Sequence, residues 1–227
     1  PEFGEECHPN CDCGRFVEIG NSVFMQFMKQ PDGSFKELPK RNVDFGGGLE
    51  RLAFAAIGNP DIFMIDVFDA ARAVLEKRSN MQYENVGRTT SYIKSFRIIL
   101  DHIRAASFFI ASGIRPSNTE QGYVLRRLIR RSIRETDKLG IKETVLAEVA
   151  EGFGSAYAEA YPFVHQATRS IREELEKEET QFRKTLAHGM HELEKMGSSI
   201  DAFMLFTTYG FPVELTEEIA KEKGISV

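Results

Sequence analysis

Five residues, "DFGGG" from Asp44 to Gly48, divide the chain into two kinds of hydrophobic pattern. Before them, Val23, Met25 and Phe27 in "RFVEIGNSVFMQF" recur with the period of two that suits a pleated strand. After them, Leu49, Leu52, Ala53 and Ala56 recur at helical spacing, and that period continues with little strand character. The expected fold class is therefore α+β: a short antiparallel β portion in the opening fifth, followed by a mainly α-helical remainder.

The turn signal Pro31-Asp32-Gly33 lies between two β-rich stretches, so strands over 16–27 and 35–43 are expected to pair as a hairpin. Helices are expected over 48–57, 62–77, 91–112, 118–138, 142–160, 164–196 with a break, 201–206 and 215–223. This places the boundary between a β-containing domain over 1–60 and a helical domain over 61–227. Ser117 or Asn118 is placed to cap the 118–138 helix and Gly140 to end it. From Ser170 the charges alternate between Leu175, Phe182, Leu186, Met190 and Leu193, which reads as an apolar stripe with a solvated charged face.

The longest apolar run, "ASFFIASGI" from Ala106, is about half the ~20 residues that a membrane helix needs, so a membrane partner is not expected. The opening "PEFGEECHPN" has neither a basic nor an apolar leader region. Three cysteines, Cys7, Cys11 and Cys13, fall within seven residues, too close to staple a fold, and suit a reducing compartment such as the cytoplasm. With His8 they offer four zinc-type donors, although Cys-x3-Cys-x-Cys is not a usual zinc spacing. A zinc site and free thiols in a polar loop both remain open readings.

The densest charge lies in "GYVLRRLIRRSIRE" (Gly122 to Glu135), although the chain carries a formal charge of −5. At about 100° per residue, Arg126, Arg127, Arg130, Arg131 and Arg134 fall within an arc of roughly 140°. Val124, Leu125, Leu128, Ile129 and Ile133 lie opposite them. From Arg115 to Arg134 there are six arginines and one acid, Glu120. A polyanion would neutralise that self-repulsion, and guanidinium forks suit phosphates and base edges. The competing reading is a helix face whose arginines pair with acids elsewhere, each exposed pair contributing only about 0–1 kcal/mol. The acidic balance of the whole chain argues for a local footprint, such as a short structured RNA, over an indiscriminate nucleic-acid coat.

Five stretches, "VEIGNSVFMQF" (Val17 to Phe27), "VDFGGGLERLA" (Val43 to Ala53), "IILDHIRAASFFIASGI" (Ile98 to Ile114), "PSNTEQGYVLRRLIRRSIRE" (Pro116 to Glu135) and "LFTTYGFPVELT" (Leu205 to Thr216), resemble consecutive signatures of the alanyl-tRNA synthetase family. The resemblance implies the later part of a class II catalytic domain followed by a helical tRNA-recognition region, with motifs 1 and 2 upstream and an editing domain downstream. It implies activation of alanine with ATP and Mg2+ and transfer to tRNA(Ala), with the acceptor stem, alanine and ATP as partners and no DNA. A non-catalytic RNA-binding module derived from a synthetase, or a helical scaffold, is the alternative.

Residue by residue, the resemblance implies that Arg51, in motif 3, contacts ATP and that Asp44 receives the alanine ammonium. It puts Glu18 and Asn21 on the pocket strand and lets Gly46, Gly47 and Gly48 bring the backbone close to the ligand. Asn118 and Asp101 fall in the surface that reads the acceptor-stem G·U pair. Asn118 is also a natural helix cap, and Asp101 is also readable as a buried carboxylate facing Arg104 or the arginine helix. Two departures stand out: Gly20 replaces the usual tryptophan, and Phe206-Thr207 replaces a Tyr-Asp pair whose aspartate partners the wobble-reading asparagine.

Overall fold

The computed structural model describes residues 4, 6–11, 13–83, 91–196, 200–209 and 211–223. It contains two compact units, residues 1–65 and 66–227.

In the first unit, strand β1 (Gly20–Lys29) pairs antiparallel with β2 (Phe35–Gly47). The ladder starts four residues later than the alternation suggests and runs through Asp44 to Gly47. The connection is the expected turn: Gln30 donates to the Ser34 carbonyl at 2.8 Å, and Gly33 takes the left-handed conformation that side chains resist (φ 85°). The register slips between Met25, opposite Asn42, and Phe27, opposite Glu37. Pro39, which has no N–H for the ladder, falls in the interval this creates. Phe24, Phe35 and Phe45 are 77%, 69% and 64% exposed, and neighbouring positions of both faces are open as well. An isolated two-stranded hairpin is marginal, and this one covers neither face. Helix α1 (Leu49–Ala56) follows Gly48 directly and buries Phe54.

Residues 62–77 do not form the single helix expected from periodicity. Two 3-10 turns, Ile62–Met64 and Asp66–Phe68, precede α2 (Asp69–Ser79). Asp61 accepts the Phe63 N–H at 3.1 Å and caps the first turn, and Ile65 is extended (ψ 156°), which interrupts helical propagation.

The second unit is helical. Its remaining elements are α3 (Ser91–Ala111), α4 (Glu120–Lys138), α5 (Leu146–Ala156), α6 (Pro162–Gln166), α7 (Thr168–Met196), α8 (Ala202–Tyr209) and α9 (Val213–Lys223). The expected break falls at Ala167, between α6 and α7. Helix α5 begins four residues later than expected because Val145 takes a non-helical conformation as its N-cap. Helix α3 packs on α4 and α5, α2 packs on α5, and α7 lies against α4, α5 and α8. Ile93, Phe96, Ile99, Leu100 and Ile103 of α3, Leu125, Ile129 and Ile133 of α4, Phe153 of α5, and Leu175 and Phe182 of α7 are fully buried. Each such side chain contributes about 1.5–3 kcal/mol by leaving water, so this core accounts for the unit. Gly152 permits the close approach of α5 to α2, because a Cβ there would stand 2.7 Å from the Ala71 backbone nitrogen.

Candidate nucleic-acid interface and nucleotide pocket

Helix α4 carries the sequence-defined arginines, and its inner side follows the wheel: Leu125, Ile129 and Ile133 are wholly buried. Val124 departs from it at 46% exposed. The N-terminus also differs from expectation. Thr119, without a side-chain cap bond, takes the N-cap position that the sequence suggested for Ser117 or Asn118. Ser117 instead closes the turn before the helix, its hydroxyl oxygen accepting the Thr119 N–H at 3.3 Å. Gly140 ends the helix as expected, with φ 77° and its N–H on the Asp137 carbonyl at 3.0 Å.

The arginine face is not bare. Glu178 of α7, only 6% exposed, lies 3.4 Å from Arg126 Nε and accepts a hydrogen bond from Arg130 Nε at 2.8 Å. Arg130 also sits over the Phe182 ring at 4.8 Å. Glu218 of α9 pairs with Arg131 at 3.3 Å and with Arg134 at 3.2 Å, and Arg134 is buried. Arg127 is exposed and stacked over Tyr123 at 5.8 Å. The acids were overlooked in sequence because Glu178 and Glu179 sit in a highly charged run. The available signal was their spacing: Leu175, Glu178, Glu179 and Phe182 share one helical stripe, which makes those carboxylates inward-facing.

Two concavities lie against this face. One, of about 380 Å³, is lined by Asn118, Tyr123, Arg126, Arg127, Arg130, Phe206 and Pro212. The other, of about 140 Å³, includes His102, Arg127, Arg131 and Glu218 in its lining. The fold therefore brings Asn118 and the start of α4 together with α8, although these segments are some ninety residues apart in sequence. Two buried donors, Arg126 Nε and Arg131 Nε, make no hydrogen bond among the described residues, although Glu178 lies within ion-pair distance of the first. Such groups are rare in folded proteins and an anionic ligand would satisfy them.

Asn118 is exposed, and its Oδ1 accepts a hydrogen bond from Arg126 Nη1, which leaves that oxygen a second lone pair. Arg126 Nη2 donates to the Pro116 carbonyl at 3.2 Å. Thr207 on α8 is exposed, and its hydroxyl donates to the Phe203 carbonyl at 2.8 Å. Asp101 is not the buried carboxylate of the alternative reading. Its side chain is 56% exposed and faces His102 at 3.3 Å, and the hydrogen bond from that imidazole holds its pKa below the usual carboxylate value.

The residues around the glycines gather at one end of the hairpin. Asn21 pairs with Gly46, Val23 with Asp44 and Gly20 with Gly47. Directly opposed residues share a face, so Asn21, Asp44 and Gly46 lie on the same one. A Cβ on Gly46 would meet nothing within 4 Å, so the backbone there is open to a ligand. Asp44 has no ion-pair partner among the described residues. Arg51 is anchored from α1 by an Nη1 bond to the Glu18 carbonyl at 2.7 Å, and Gly48 donates to the Ile19 carbonyl at 3.1 Å. On the opposite face the Phe45 ring covers Gly20 and Gly47, 2.9 Å and 3.0 Å from where their Cβ atoms would stand.

Ahead of β1, the sulfurs of Cys7, Cys11 and Cys13 form a cluster that does not include His8. His8 Nδ1 instead accepts the Asn10 N–H at 3.2 Å. Burial and hydrogen bonds to the other two thiols push Cys7 up to about 11, while a hydrogen bond from Cys13 brings Cys11 down to about 7. Among the described residues no helix is long and apolar enough to cross a membrane.

Residues 2–227 match the family model described as tRNA synthetases class II (A). A protein named alanine–tRNA ligase from Thermoanaerobacter pseudethanolicus is 39% identical over 232 residues, covering 97% of this chain and 26% of that protein. One of the same name from Treponema pallidum is 39% identical over 240 residues, covering the whole chain and 39% of that protein. Another from Halalkalibacterium halodurans is 38% identical over 243 residues, with 27% of its length covered. The chain thus spans about a quarter to two-fifths of the length of these relatives.

Proposed function

Since the chain belongs to the tRNA synthetases class II (A) family, we propose that it is the part of an alanine–tRNA ligase that supplies one wall of the ATP and alanine pocket together with the surface that reads the tRNA(Ala) acceptor stem. The observation that carries the RNA half of this reading is the 380 Å³ concavity joining Asn118, Tyr123, Arg126, Arg127, Arg130 and Phe206. A groove lined by an amide, guanidinium groups and aromatic rings suits an RNA minor groove, which presents 2′-hydroxyls and base edges. The second lone pair of Asn118 Oδ1 accepts the guanine 2-amino group that a G·U wobble leaves free. Thr207 accepts with its hydroxyl where the family has a carboxylate, a weaker contact with an amine because it lacks the charge. Asp101, beside His102 of the smaller concavity, is assigned to the same surface in this reading. Arg126, Arg127, Arg130 and Arg131 meet phosphates, and Arg134, buried against Glu218, orients its neighbours.

In the nucleotide pocket the fit is to ATP and a small zwitterion. Arg51, whose guanidinium is held through Nη1 by the Glu18 carbonyl, presents a positive charge to the triphosphate. The open backbone of Gly46 allows close approach, while Gly47 and Gly48 are covered by the Phe45 ring and the Arg51 side chain, and Asp44 takes the alanine ammonium as a charge-assisted hydrogen bond. Asn21, on the same face as Asp44, orients the amino acid, and Glu18 lies beside the strand end. ATP with Mg2+ supplies the activated phosphate. These side chains position and stabilise charge and need not act as general bases.

A scaffold reading has its own support in Glu178 and Glu218, which pair with Arg126, Arg130, Arg131 and Arg134. Binding of an acceptor-stem minihelix across a salt series separates the two. Several phosphate contacts give a steep decline in affinity with salt, while a scaffold gives no binding. In the full-length enzyme, Asn118→Ala is expected to reduce discrimination for G·U more than Thr207→Val does, and the reverse order would overturn these roles. Pyrophosphate exchange by the chain alone is expected to be absent, and its presence would contradict the assignment of the remaining catalytic groups to other segments of the parent.

A further inference from the structure

Helix α7 holds the turn that carries Asn118 from both sides. Ser170, Glu174 and Glu178 recur every four residues along one stripe of that helix. Before the turn, Arg115 pairs through Nε with Glu174 at 3.1 Å and donates from Nη2 to the Ser170 hydroxyl at 2.9 Å. Beyond it, Arg126 lies 3.4 Å from Glu178 at Nε, and its two Nη groups reach back to Asn118 Oδ1 and to the Pro116 carbonyl. The turn itself is tightly wound. A Cβ on Gly122 would stand 2.5 Å from the Arg115 carbonyl, and Glu120 takes a left-handed conformation (φ 51°) that persists only where the surroundings impose it.

An asparagine amide has two orientations, related by a flip that exchanges its acceptor and its donors. A guanidinium N–H on Oδ1 permits only one of them, since the flipped amide would set donor against donor. Glu178 in turn decides where Arg126 points. It is buried and its Oε1 accepts from Arg130 Nε at 2.8 Å, so it stands fixed beside Arg126 Nε and leaves Nη1 and Nη2 to face the turn.

We propose that Glu178 is the positioning residue for the Asn118 amide, acting through Arg126, and that it sets how sharply this surface distinguishes one base pair from another. This role rests on the acceptor-stem reading of the α4 surface and names the residue that gives that surface its selectivity. Buried as it is, Glu178 meets no RNA itself. Its loss would release Arg126 toward the nearest phosphate and leave the amide to turn over, so affinity and selectivity would move in opposite directions. A carboxylate that only supported the fold would move affinity for every stem alike.

The test uses the whole chain, with acceptor minihelices that differ only in G·U or G·C at one position, and NMR of the isotope-labelled chain without RNA. Glu178→Gln should bind both stems more tightly while the preference for G·U falls by about threefold to tenfold, the worth of one orienting hydrogen bond. In an Asn118→Ala chain the same substitution should change the preference no further. Glu179→Gln, at a side chain bonded to Leu146 and Arg183, alters stability and should leave the preference in place. Without RNA, the two Asn118 side-chain amide protons should give dispersed resonances in the unsubstituted chain, and Glu178→Gln should move them to those of a solvated asparagine. Solvated shifts already present in the unsubstituted chain, or Asn118 signals unmoved by Glu178→Gln, would overturn the positioning role while leaving the RNA reading intact. Equal loss of affinity for both stems in Glu178→Gln would overturn it too. A chain that binds neither stem, or both alike, would overturn the acceptor-stem reading and the selectivity assigned to Glu178 with it.

Discussion

Glu179 is the side chain whose removal should cost the helical unit most. It is wholly buried, it accepts the Leu146 N–H at 3.0 Å and the Val145 N–H at 3.2 Å, and it pairs with Arg183 at 2.7 Å. Helix α5 has no side-chain cap of its own at Val145, so this carboxylate from α7 fills that role across the core. Breaking a buried ion pair by deleting one partner costs about 3–5 kcal/mol. Arg183 keeps Asp137 at 3.1 Å, Thr136 at 3.0 Å and the Glu143 carbonyl at 2.8 Å, which pulls the estimate to the lower end. The lost cap adds about 1 kcal/mol. Glu179→Ala should therefore destabilise the helical unit by about 3–5 kcal/mol and lower its melting temperature by about 6–20 °C.

Glu179→Gln separates charge from hydrogen bonding, since it keeps an acceptor for the α5 N–H groups. Burial raises the Glu179 pKa above its ordinary value of 4.5, outweighing the opposing bonds from Leu146 and Arg183. A folded-state pKa above the unfolded one means that the folded protein binds the proton more tightly. The corresponding stability is fully present below the unfolded value and is lost as pH rises through the folded one. The stability of the unsubstituted chain relative to Glu179→Gln should thus fall as buffers go from acidic toward neutral. Urea unfolding followed by far-ultraviolet circular dichroism, at several pH values, measures both effects. A loss below about 1 kcal/mol for Glu179→Ala, or a relative stability that rises with pH, would refute the reasoning.

Glu178→Gln should destabilise by about 1–3 kcal/mol, the value of hydrogen bonds to charged groups, yet tighten minihelix binding by freeing Arg126 and Arg130. Up to two new phosphate contacts would steepen the slope of log affinity against log salt by roughly 1–2, and unchanged binding would remove these two arginines from the RNA surface. Gly152→Ala should cost about 1–3 kcal/mol by overpacking, because its Cβ would press on the backbone of α2. An unchanged urea midpoint would contradict that close contact.

The class of fold and the order of elements were legible in sequence because the hydrophobic period changes once, at Asp44 to Gly48, and periodicity is a local property that needs no partner. The same holds for the apolar side of α4, where Leu125, Ile129 and Ile133 are buried as the wheel demands, whereas the glycines after Asp44 continue strand β2 to Gly47 instead of turning. Local interruptions were harder to read. Ile62 to Lys77 has helical spacing, but the Asp61 cap and extended Ile65 divide it. Sequence alone determined that the chain holds a hairpin, a helical body and a stripe of guanidinium groups. Only the tertiary structure decided what those groups face, since Glu178 and Glu218 lie 48 and 84 residues beyond Arg130 and Arg134, and a charge's partner is set by distance in space, about which spacing along the chain says nothing.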